Sequence, residues 1–138
     1  MNIQVSGIAL ACVLAFGASS AMAATANPCK VGEPAVIRVS KITAKGSMAG
    51  FKKAAADHMK WYADHGYTKD RQLLAPVMIF DPAKKMMVEA PDQIMTLHTH
   101  SENVPNEKKD AAWAAYVAEY RANSDIVTET MVCLPNER

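Results

Sequence analysis

The sequence predicts an α+β fold: a ferredoxin-like βαββαβ sandwich in which a four-stranded antiparallel sheet carries two helices on one face. The first observation behind this is the order of hydrophobic periods. It reads strand, helix, strand, strand, helix, strand, which right-handed crossovers fold most simply into that arrangement. The second is a cysteine pair, Cys29 and Cys133, placed early and late in the chain. In the expected strand order 4-1-3-2 the first and fourth strands are antiparallel neighbours, so the start of one lies beside the end of the other. The third is residues 93–100, Gln-Ile-Met-Thr-Leu-His-Thr-His, whose strict alternation marks an inner strand with two imidazoles on one side.

The chain opens with a segment that does not belong to this fold. Residues 1–24 contain no Lys, Arg, Asp or Glu, and an apolar run from Ile8 to Phe16 leads to Ala21-Met22-Ala23, an A-x-A cleavage pattern. This reads as a signal peptide over 1–23, although the usual basic residue near Met1 is missing. The run is shorter than the roughly 20 apolar residues that span a bilayer, and Cys12 lies inside it, away from the cleavage point where a lipid anchor would attach. Residues 24–138, about 115 in all, suit one domain, and the protein is expected in the periplasm or outside the cell. Fifteen basic residues against fourteen acidic ones, without a run of either sign, disfavour nucleic acid and anionic membranes as partners. In an oxidising compartment Cys29 and Cys133 read as a disulfide. It closes a loop of about 100 residues, worth roughly 4–5 kcal/mol by chain entropy.

The elements follow in order. Pro28, Gly32 and Pro34 make an extended lead-in, and Ala35–Thr43 alternates as the first strand. Ser47 caps a helix from Met48 to about His65, with Met48, Phe51, Ala55, Met59 and Tyr62 on one stripe and Gly66 as its stop. Gln72–Phe80 is a second strand, apolar on both faces, in which Pro76 demands an edge or a bulge. Residues 81–85 turn the chain, Met86-Met87-Val88 form a short strand or flap, and Pro91-Asp92 lead into strand 93–100. A helix from about Glu107 to Ala122 places Trp113, Tyr116, Val117 and Tyr120 on one stripe. Asn123-Ser124-Asp125 end it, and Ile126–Leu134 is the last strand. On this scheme Met95, Leu97 and Thr99 lie under the helices, while Thr96, His98 and His100 face away from them. Two helices cover one face only, so a second copy is the economical cover for the other.

The segment Asp110-Ala-Ala-Trp113-Ala-Ala-Tyr116-Val-Ala-Glu-Tyr120, running into Ile126-Val-Thr-Glu129-Thr-Met131, resembles the last helix and strand of dimeric α/β-barrel proteins, the NIPSNAP-like and antibiotic-biosynthesis-monooxygenase-like groups especially. Phe51 through Trp61-Tyr62 to His65-Gly66-Tyr67 is similar to their first helix and its glycine stop. The resemblance implies a homodimer whose two sheets form a barrel, with a pocket between each sheet and its helices or in the barrel interior. Monooxygenases of this superfamily often place Trp, His and Asn around an aromatic substrate. Here Trp61, His58 and His65 share a helix, but the first strand has no Asn.

His98 and His100 admit three readings: a strand end emerging into solvent, a pocket-lining pair, or two ligands of a transition metal that lack a third. Arg38 on the first strand shares a face with Ser40, Thr96 and His98, and Glu129 on the fourth strand is its natural partner, in a structural pair or around a polar ligand. Trp61 is a core, dimer or ligand-contacting aromatic. The seven methionines beyond the leader are scattered over alternating faces, the pattern of an adaptable core more than of a copper site. The leading expectation is an exported binder of a small, mostly apolar molecule, with Arg38, Thr96, His98, His100, Glu129 and Trp61 as the ligand-contacting set. The alternatives are a cofactor-independent monooxygenase or haem-degrading enzyme, and a periplasmic metal-binding protein using His98 and His100. No cofactor is assured; haem or a transition metal belongs only to these alternatives.

Overall fold

The computed structural model describes residues 27–135; the leader expected over 1–23 lies outside the described residues. The elements are β1 (Glu33–Ile42), α1 (Met48–Asp64), β2 (Arg71–Asp81), β3 (Met86–Thr99), a 3-10 turn at Asn106–Lys108, α2 (Ala111–Asn123) and β4 (Ser124–Leu134). The strands form one antiparallel sheet in the order β2-β3-β1-β4. This is the ferredoxin-like arrangement with both helices over one face. Pro34 pairs with Cys133 at the β1–β4 end, and the Cys29–Cys133 disulfide closes there with the Cα atoms 5.7 Å apart.

Short-range chemistry sets the helix ends. Ser47 Oγ accepts from Gly50 N at 2.9 Å and caps α1. Gly66 follows the helix at φ 86°, the left-handed conformation in which a side chain is strained. Gly50 serves packing instead: a Cβ there would lie 2.2 Å from the Asn123 amide oxygen, which also accepts from Ser47 N at 2.9 Å and ties the start of α1 to the end of α2. The second helix starts later than Glu107. That residue falls in the 3-10 turn, and Asp110 is the cap, accepting from Trp113 N at 2.9 Å and from Trp61 Nε1 at 2.8 Å. At its other end α2 runs into β4 without a loop, so Ser124 and Asp125 are strand residues.

Pro76 stands on edge strand β2, where the pairing with β3 shifts between Pro76 and Met78. β3 is longer than the alternation of 93–100 suggested, reaching back through Pro91 to Met86. Pro91 is tolerated because β1 pairs only with Gln93–Thr99, leaving that side of β3 without a strand to bond. Residues Met78–Asp81 and Met86–Glu89 consequently form a two-stranded arm, on which Met78, Ile79, Phe80, Met86 and Met87 are exposed.

The two faces of β3 are the reverse of those expected. Ile94, Thr96 and His98 are buried beneath the helices, while Met95, Leu97 and Thr99 point to the open face. The open face carries the cross-strand rows Leu73–Leu97–Ile37–Thr130 and Ala75–Met95–Val39–Thr128. Expectation assigned the apolar side of the strand to the helices. Instead the helices cover the polar side, with an aromatic layer between. The core of that layer is Trp61, Tyr62, Val104 and Tyr116, with Met59, Tyr67, Trp113, Val117 and Tyr120 packed against it.

Candidate functional site

Between the sheet and the helices lies a cavity of about 540 Å³. Arg38 and Ser40 of β1, Gln72 of β2 and Thr96 and His98 of β3 make its floor; Phe51, His58 and Tyr62 of α1 and Trp113, Tyr116 and Tyr120 of α2 make its walls. Arg121, Asp125 and Glu129 stand at its lining on the β4 side. Sheet register explains the floor. Val36, Arg38 and Ser40 face the same way as their partners His98, Thr96 and Ile94, and Arg38 also faces Glu129 across β1–β4. Arg38 Nε donates to Glu129 Oε2 in an ion pair that is half open to solvent.

His98 is buried in the floor, as are Ser40 and Thr96. Its Nε2 lies 2.6 Å from Asp70 Oδ1, with the two side chains 4% and 1% exposed. Asp70 arrives through the helix stop: Gly66 turns the chain, Tyr67 N bonds back to Tyr62 O, and Asp70 N to Tyr67 O, placing the carboxylate immediately before β2. A carboxylate can only accept, so Nε2 is the donor of this bond, and a neutral ring held in this way has its lone pair on Nδ1. Among the described residues Nδ1 has no hydrogen-bond partner. Asp70 Oδ2 and Tyr116 Oη are buried and likewise without partners.

His58 sits beside this pair, its ring 5.0 Å from that of His98 and edge-on to it, and stacked at 4.8 Å on Tyr116. Burial, aided by the neighbouring His98 ring and the Arg38 guanidinium, pulls its pKa down to about 3. His58 is therefore a neutral imidazole at physiological pH. Burial pushes Tyr62 and Tyr120 up to about 12 and Tyr116 higher still, so all three phenols stay protonated. Tyr120 Oη donates to Gln72 Oε1 at 3.0 Å and lies 3.4 Å from His58 Nδ1.

The other sequence candidates fall elsewhere. His100 is one residue past β3, at φ 54°, which ends the alternation; it pairs at the surface with Glu33 at 2.6 Å. The two histidines of the opening strand thus spend their Nε2 atoms on different carboxylates, and no group of three His, Cys, Asp or Glu among the described residues is placed to hold a metal. Trp61 is buried between the helices and bonded to Asp110; Trp113 lines the cavity in its stead. Asp70 goes unnamed in the sequence because a periodicity reading passes over polar residues, and His58 enters it only as a helix neighbour of Trp61 and His65. The signal for His58 was its spacing, four residues before Tyr62 and three before Trp61 on the buried stripe.

No family model matches the chain, and no curated protein matches it. Among solved structures it is similar to SnoaB, a cofactor-independent oxygenase from Streptomyces nogalater, at 8% identity over 75% of this chain and 94% of that one, with a TM-score of 0.39. What topology and site define together is a ferredoxin-like α+β protein with an aromatic-walled cavity between sheet and helices.

Proposed function

We propose that the protein binds a small, planar, mostly apolar molecule in this cavity, as an exported homodimer of the dimeric α/β-barrel type. The observation that carries the reading is the cavity itself: aromatic rings on two helices face a floor of polar side chains, the composition of a small-molecule site. In this reading Arg38, Thr96, His98 and Glu129, which line the cavity, contact the ligand, and Trp113 takes the part that the sequence assigns to Trp61. Export is supported by the disulfide and by the A-x-A segment. The dimer is supported by the apolar rows on the open face and by the arm: a two-stranded ribbon exposing five large apolar side chains is poorly stable alone, and a second sheet would cover it.

Titration with a panel of planar phenols and quinones, followed by tryptophan emission, tests the binding. Trp61 is enclosed and Trp113 lines the cavity, so saturable quenching should appear and should be lost in Trp113→Phe. A flat response across the panel, or quenching unchanged in that variant, would count against the cavity as the site. Sedimentation should give twice the protomer mass, and Phe80→Glu should lower it to one.

A further inference from the structure

We propose that the cavity floor around His98 is an acid–base site in which His98, held by Asp70, takes a proton from a bound planar molecule carrying an acidic C–H or O–H next to a carbonyl or ring. This deepens the binding reading above and rests on it.

Asp70 does not line the cavity. It meets the imidazole from behind, at 2.6 Å on Nε2, while the ring itself is part of the floor. That is the placement of a positioning group: it fixes the tautomer, leaves Nδ1 without a protein partner, and lies next to the positive charge once Nδ1 is protonated. The charged and titratable groups packed around the imidazole, element by element, are Arg38 on β1, His58 and Tyr62 on α1, Asp70 ahead of β2, Tyr116 on α2 and Glu129 on β4. Glu129 is taken up by Arg38 at the more exposed side of the cavity. His58 is uncharged at physiological pH and the tyrosines keep their protons. In the step, the ligand's C–H or O–H bond breaks, the proton goes to His98 Nδ1, and the electron pair stays on the ligand as an enolate or phenolate. Arg38, on the same floor, offsets that charge by turning from the more exposed Glu129. The proton returns to the same or another ligand atom or leaves to solvent, so nothing is oxidised or reduced.

The probe is 5-nitrobenzisoxazole, a planar ring that opens to a coloured cyanonitrophenolate when one base removes its C–H proton and its N–O bond breaks. The disulfide-bonded protein should open it saturably, about a hundredfold or more faster than free imidazole at equal concentration. His98→Gln should return the rate to that of buffer while calorimetry still detects the bound probe. Asp70→Asn should cut kcat by at least about tenfold with little change in KM and displace the pH profile, because an amide donating to Nε2 moves the ring hydrogen onto Nδ1. Should His98→Gln fail to fold, imidazole 15N spectra of the unmodified protein serve: the proposal requires hydrogen on Nε2 of His98 and a bare Nδ1 whose resonance moves with probe. The opposite tautomer overturns it, as does turnover unaffected by His98→Gln. Probe that binds without a His98-dependent rate removes the base and leaves the binding site standing, whereas absence of both probe binding and tryptophan quenching removes the binding reading beneath it.

Discussion

Replacing His58 with Phe should make the protein more resistant to acid. In the folded chain burial lowers the His58 pKa to about 3, against an ordinary value of 6.5. A histidine with a depressed folded pKa gives its full stability above the unfolded value and loses it as pH falls, because the unfolded chain binds a proton that the folded chain refuses. The window therefore opens near pH 6.5 and closes near pH 3. At pH 5 the loss is about 2 kcal/mol, and across the whole window it is on the order of 5 kcal/mol. Phenylalanine keeps a ring stacked on Tyr116 and edge-on to His98, gives up only the 3.4 Å contact with Tyr120, and does not titrate. Urea unfolding of both proteins at pH 7, 6, 5 and 4 measures the difference, and effects of other groups common to both cancel. The two stabilities should diverge by about 2 kcal/mol between pH 7 and pH 5 in favour of the variant, a shift of several degrees in Tm for a domain this size. Parallel pH curves would refute the reasoning, since they would mean that His58 takes up its proton in the folded state as readily as in the unfolded one.

Two further predictions concern the frame that holds the site. Reducing the Cys29–Cys133 disulfide, which spans 104 residues, should lower stability by about 2–5 kcal/mol and expose two thiols to labelling; a reduced protein with the same denaturation midpoint would dismiss its structural role. Gly66→Ala should cost about 1–2 kcal/mol, a purely backbone effect, because φ is 86° and a Cβ there would meet no atom within 4 Å. As the turn after Gly66 delivers Asp70 to His98, that variant should also slow the His98-dependent reaction without abolishing folding, which a stability curve and a rate measured on one preparation can separate.

The frame was legible in the sequence because periodicity and turn chemistry are local. Ser47, Gly66 and Pro76 each report a backbone requirement within a few residues of themselves, and the cysteine pair tied the two ends of the chain through an independent chemistry. The site was legible in half. Arg38, Thr96, His98 and Glu129 do come together, since sheet register follows from strand order. Asp70 reaches His98 across 28 residues of sequence, through a turn whose direction no pattern encodes. His100 lies beyond the last strand residue, in a left-handed conformation that an alternation count cannot foresee.

The reversed faces of β3 have a physical cause that bears on the partner. Binary patterning assigns the more apolar side of a strand to the interior, because that side repays burial. Here Ile37, Val39, Met95 and Leu97 form that side, yet both helices lie on the other, over Arg38, Thr96 and His98. A chain that folded alone would have little reason to spend its helices on a polar floor and leave its apolar rows and the arm of Ile79, Phe80, Met86 and Met87 to water. The two features are reconciled if the polar floor is retained for a ligand and the apolar rows for a second sheet. The pattern rule then holds for the pair of chains, and disruption of the arm by Phe80→Glu should dissociate the proposed dimer and make the stability of the fold less dependent on protein concentration than that of the unmodified chain.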